Sequence, residues 1–85
     1  MNATKPLHVY KCLITSYVAA GMKSYNLEYA EITAESKAEA ARIAAASVKY
    51  FRTCKAELVI NAKPGATKGI KWLETYKNAW EEMQK

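Results

Sequence analysis

Residues 54–62, Cys54-Lys55-Ala56-Glu57-Leu58-Val59-Ile60-Asn61-Ala62, carry the cleanest period-two pattern in the chain. Cys54, Ala56, Leu58, Ile60 and Ala62 fall on one side; Lys55, Glu57, Asn61 and, one step on, Lys63 fall on the other, with Val59 as the one interruption. Successive strand residues point to opposite faces, so this alternation predicts a strand with one buried face and one wet face.

Upstream, residues 7–19 are rich in strand formers (Leu7, Val9, Tyr10, Ile14, Thr15, Tyr17, Val18). Gly21 to Ser24 reads as a turn, and Tyr25–Thr33 as a second strand carrying Leu27, Tyr29, Ala30 and Ile32. So short a connection predicts an antiparallel hairpin. Ser36-Lys37-Ala38-Glu39 then has the S-x-x-E form of a capping box, in which hydroxyl and carboxylate satisfy amides that a helix start leaves open. Ala40, Ile43, Ala44, Ser47, Val48 and Phe51 come next at helical spacing, which predicts a helix ending near Arg52. Its small residues allow close approach to a sheet.

Downstream of the third strand, Lys63-Pro64-Gly65-Ala66-Thr67-Lys68-Gly69 reads as a loop. A second helix is expected over 70–84, with Trp72, Leu73, Tyr76, Ala79, Trp80 and Met83 on one side. The expected order is β-β-α-β-α. The fold class is α+β, a two-layer sandwich in which a three-stranded sheet, order 2-1-3, carries both helices on one face.

At 85 residues the chain is one small domain, long enough to fold alone but not to hold a separate catalytic unit. It is 51% apolar and 25% charged, which is globular rather than disordered composition. No apolar run approaches the ~20 residues of a membrane span. Leu7 to Ala20, broken by His8 and Lys11, lacks the continuous apolar core of a secretory signal. The expected compartment is cytoplasmic, with Cys12 and Cys54 as buried thiols rather than a disulfide.

Catalytic chemistry is sparse. The chain has no Asp, one His and two Cys, so neither a His-centred acid–base pair nor a zinc site has its ligands. The 63–69 loop resembles a phosphate-cradling loop only loosely, because no Gly-Lys-Ser/Thr ends it. The expectation is a non-enzymatic protein with no cofactor and no metal.

The net charge of +5 is unevenly placed. Residues 1–48 hold five basic groups and four acids, and residues 72–85 hold two and three. Residues 49–71 hold six, Lys49, Arg52, Lys55, Lys63, Lys68 and Lys71, against Glu57 alone. With both helices on one side, the uncovered sheet face would carry Lys11, Leu13, Tyr17, Leu27, Tyr29, Lys55 and Lys63, with Lys68 and Lys71 at its edge. Three readings of that face stay open. It is a solvated surface whose lysines oppose edge pairing; or a protein-binding patch of Tyr17, Tyr29, Lys55, Lys63, Lys68 and Lys71; or a nucleic-acid platform using Lys11, Lys49, Arg52, Lys55 and Lys63.

The stretch Ile32-Thr33-Ala34-Glu35-Ser36-Lys37-Ala38-Glu39-Ala40-Ala41-Arg42-Ile43-Ala44, a strand passing through a capping box into an Ala-rich helix, resembles small phage and mobile-element accessory proteins of the anti-CRISPR type. That resemblance implies a phage-encoded inhibitor, working in the host cytoplasm, that sterically occludes a host protein or nucleoprotein complex and touches its RNA or DNA. A small RNA- or single-stranded-DNA-binding domain is the alternative, and a homodimer whose open sheets pair is a third class.

Overall fold

The structure, a computed structural model, describes residues 6–74. Among these, four strands and one helix run in the order β1 (His8–Tyr17), β2 (Tyr25–Ala34), α1 (Lys37–Ser47), β3 (Phe51–Asn61) and β4 (Gly69–Leu73). All strand pairs are antiparallel, and the sheet order is β3-β1-β2-β4.

β1 and β2 form the expected hairpin, paired from His8↔Ala34 to Tyr17↔Tyr25. The loop between them is closed by Val18 N–H donating to Ser24 O at 3.1 Å and Met22 N–H to Ala19 O at 3.2 Å. Gly21 sits there at φ +79°, a left-handed conformation that a residue with a Cβ adopts only under strain.

Helix α1 begins as its sequence dictates. Ser36 is extended (φ −148°, ψ 164°) and its side chain accepts from Glu39 N–H at 3.1 Å. Glu39 Oε1 reaches back to accept from Glu35 N–H at 2.8 Å. The helix buries Ala40 and Ala44 against Tyr10, Cys12, Ile14, Ala30, Ile32 and Ala34, with Ile43, Val48 and Phe51 packed around them. Alanines at the contact let the helix axis sit close to the strands, and larger residues at the margin fill the remaining space.

The helix is shorter than its apolar spacing suggests. Val48 is already extended (φ −128°, ψ 150°), and Phe51 and Arg52 belong to β3, which starts three residues before the expected Cys54. Val, Tyr and Phe are better served on a pleated surface than by another helical turn, and here strand pairing with β1 overrides helical periodicity.

The expected three-stranded, two-helix sandwich is replaced by a sheet of four strands with one helix. Residues 70–73, read as the start of a second helix, join Gly69 in a strand that pairs with β2 from Tyr29↔Leu73 to Thr33↔Gly69. Ile70, Trp72 and the half-buried Leu73 fit either period over so short a run, and the open edge of β2 decides between them. Trp72 is therefore a strand residue, 40% exposed, and not part of a helical aromatic ridge. Tyr76, Ala79, Trp80 and Met83 lie outside the described residues.

β3 pairs with β1 through two register shifts. Lys11 faces Leu58 and Cys12 faces Ala56, leaving Glu57 as an extra residue; Thr15 faces Thr53 and Ser16 faces Phe51, leaving Arg52 as another. An extra residue reverses the facing of the residues beyond it. Leu58 and Ile60, expected beside Cys54 and Ala56, instead stand opposite Lys11 and Val9, on the face away from α1.

That face is consequently not the bare polar surface expected. Val9, Leu13, Tyr29, Leu58, Ile60 and Leu73 are all half-buried, and Lys11 among them has no solvent exposure at all.

Candidate binding surface

The cationic residues singled out in the sequence do not form one patch. Lys11 is fully buried, 3.6 Å from Glu57 and 5.6 Å from the centre of the Tyr29 ring. Desolvation lowers its pKa, and Glu57 opposes that shift. Across the four strands Glu57, Lys11, Glu31 and Lys71 make a row of alternating sign, since Lys11 pairs with Glu31 and Glu31 with Lys71. Opposite charges facing one another across strands support register. Lys11 thus sits in the interior of this row with no exposed surface, Tyr29 beside it is half-buried, and Lys71 remains exposed on the β4 edge.

Lys68 belongs to the other side of the molecule. Its ammonium donates to Glu39 Oε2 at 2.9 Å and lies 3.5 Å from Glu35 Oε1, so it ties the 62–68 connection to the start of α1. The Glu39 bond raises the Lys68 pKa. Glu39 is held below its ordinary value, first by the Glu35 amide and then by Lys68. Lys63 is exposed in the same connection, beside Pro6, Leu7 and Pro64. Lys55 is exposed near the middle of β3, across from Leu13.

At the opposite end of the sheet, three of the nominated residues do come together: Tyr17, Lys49 and Arg52. The hairpin loop and the start of β3 enclose a groove of about 570 Å³, lined by residues that include Tyr17, Met22, Lys23, Tyr25, Tyr50 and Arg52. Tyr17 N–H donates to Tyr50 O at 2.7 Å, which joins the end of β1 to the segment before β3. Tyr17 is 37% exposed, Met22 49% and Tyr25 45%. Large apolar side chains this exposed, gathered at one end of a small sheet, are what a contact surface requires.

Arg52 organises the groove. As the extra residue of the second register shift it is turned out of the regular ladder, and its guanidinium carbon lies 4.1 Å from the centre of the Tyr25 ring. Its Nη1 reaches Thr15 Oγ1 at 3.5 Å, and Thr53 N–H donates to the same oxygen at 3.1 Å. Thr15 is almost completely buried, so the arginine is braced from within. A β-bulge that redirects one side chain is a recurrent device at binding sites. Lys49 lies 5.5 Å from the centre of the Tyr50 ring. Among the described residues no carboxylate lines the groove.

Tyr25, Tyr50, Lys23 and Met22 are additions that the structure makes to the residues nominated from sequence. Tyr17 and Tyr25 flank the hairpin turn symmetrically, and that symmetry is a readable signal for Tyr25. Tyr50 is hidden in the sequence by the apparent continuation of α1.

Cys12 and Cys54 are free thiols on the helix face, the first buried and the second half-buried. A hydrogen bond between the two side chains raises the Cys12 pKa, helped by burial, and lowers that of Cys54. Among the described residues no group of three or more His, Cys, Asp or Glu could hold a metal ion, and no helix is long and apolar enough to cross a membrane.

No protein-family model, curated protein or solved structure matches the chain.

Proposed function

We propose that this chain is a non-enzymatic binding protein that acts by occupying a surface of a macromolecular partner. The observation that carries the proposal is the hairpin-end groove, where Tyr17, Tyr25 and Tyr50 line the walls with a braced arginine and, among the described residues, no acidic group. Tyrosine and arginine dominate interface energetics because each brings a large contact area together with hydrogen-bonding capacity. Lys23, Lys49 and Arg52 supply a local positive field that accelerates encounter with an anionic partner. The anti-CRISPR-type resemblance of residues 32–44 supports reading that partner as a nucleoprotein complex whose working surface is blocked.

The test is reconstitution with a partner first recovered on immobilised protein and then purified. A Tyr17→Ala/Tyr25→Ala variant that melts cooperatively should lose the complex, while Lys63→Glu at the far end should keep it. Retention by the first variant and loss by the second would remove the groove from the interface.

A further inference from the structure

We infer that the groove takes single-stranded nucleic acid, a deepening that rests on the binding role proposed above. Two features of the lining point to this ligand class together. The first is the set of flat surfaces: the rings of Tyr17, Tyr25 and Tyr50, with the guanidinium of Arg52 carried over Tyr25 at 4.1 Å. Unpaired bases stack on aromatic rings and on arginine planes, and every base has a face to offer. The second is charge. Lys23 and Arg52 line the groove, Lys49 lies against Tyr50, and no acid among the described residues joins them.

An acidic peptide would satisfy the cations and leave the rings without planar partners. A duplex would present phosphates with its bases already stacked, and the described structure offers neither a helix nor a two-stranded ribbon ridged with arginines to enter a major groove. A single strand uses both features at once: bases against the rings, phosphates against Lys23, Lys49 and Arg52. Arg52 contributes to both sets, and its bond to Thr15 Oγ1 leaves further guanidinium N–H donors for a phosphate.

The experiment is a fluorescence-anisotropy titration of the full chain with labelled oligouridylate, oligothymidylate and a duplex of mixed sequence, at low and at near-physiological salt. Binding of the single strands in preference to the duplex is expected. The logarithm of affinity should fall linearly with the logarithm of salt, with a slope of about −2 for three phosphate contacts on a single strand. Tyr17→Ala/Tyr25→Ala should weaken binding at least about 10-fold, the loss of one stacked base. Arg52→Lys, which keeps the charge and spares the fold, should weaken it several-fold while leaving the salt slope nearly unchanged. Lys63→Glu should have little effect.

Absence of binding at low salt, equal binding of duplex, or binding that survives Tyr17→Ala/Tyr25→Ala would each overturn the inference. A purified partner that still binds through the groove after nuclease treatment, in a chain that ignores free oligonucleotides, would overturn this ligand assignment and leave the wider binding role standing.

Discussion

Lys11 and Glu57 face each other 3.6 Å apart across the β1–β3 junction, with the lysine wholly out of solvent and the glutamate retaining 21% of its side-chain exposure. The register shift that frees Glu57 from the ladder is what lets it reach Lys11. A lone ammonium in such a place would be strongly disfavoured, and pairing makes it tolerable rather than stabilising.

Removing one member should therefore cost more than removing both. Glu57→Ala should destabilise the fold by about 2–3 kcal/mol, the low side for breaking a buried pair, because part of the carboxylate is already hydrated and Glu31 still stands across from Lys11. A Lys11→Met/Glu57→Met double variant should return to within about 1 kcal/mol of the parent. Urea midpoints of the parent, single and double variants measure both numbers.

Titration of Lys11 has a definite sign. Its folded-state pKa lies below the ordinary 10.5, so the unfolded chain holds that proton more firmly. Its contribution to stability rises with pH between the lowered value and 10.5. Lys68 runs the other way: its pKa is raised, and its contribution is complete below 10.5 and lost as pH climbs through the folded-state value. Thermal midpoints across the alkaline range should lose the rising component in Lys11→Met and the falling one in Lys68→Met.

At the acid side, Glu39 sits below its ordinary value of 4.5. Its contribution is fully present above 4.5 and disappears as pH falls through the folded-state pKa. Glu39→Gln keeps an acceptor for the Glu35 amide and should flatten this acid limb, whereas Ser36→Ala, which removes the cap, should cost about 1 kcal/mol at neutral pH. Thermal melts at neutral pH and below 4.5 separate the two.

Close contact of α1 with the sheet depends on two small side chains. Ala44 has no exposed surface and Ala40 only 1%. Ala44→Leu should destabilise by about 1–3 kcal/mol through overpacking, while a leucine at exposed Ala45 should change the urea midpoint little.

Thiol reactivity should be one-sided. Cys54 is partly accessible with a lowered pKa, and Cys12 is buried with a raised one. The thiolate is the attacking form, so alkylation in the native state should label Cys54 first and reach Cys12 only on unfolding. Mass spectrometry of partially modified protein reads the order directly.

Much of the local structure is legible in the residues themselves. Ser36 and Glu39 announce the helix start, and the β-branched and aromatic residues either side of Gly21 announce the hairpin. The features that escape the sequence are decided by pairing. Phe51 fits the helical stripe of α1, but β1 offers it a partner strand; residues 70–73 fit an amphipathic helix, but β2 has an unfilled edge. The register shifts are equally invisible, because the alternation of residues 54–62 looks cleanest when no residue is skipped. That regularity puts Leu58 and Ile60 on the wrong side and makes Lys11 look wet. Of the candidate surface, Tyr17, Lys49 and Arg52 are readable and Tyr25 is signalled by its place across the hairpin turn from Tyr17, while Tyr50 needs the sheet to bring it alongside.

The two slips in β3 have one more effect. The outermost of the described strands on its side, eleven residues long, offers a neighbouring molecule a long template for cross-β growth. Skipping at Arg52 and again at Glu57 breaks that template into short lengths with increased twist, and lysine at position 55 stands between them. Concentrated solutions should therefore resist fibril formation, and the same irregularities that re-aim two side chains keep neighbouring molecules from zipping together.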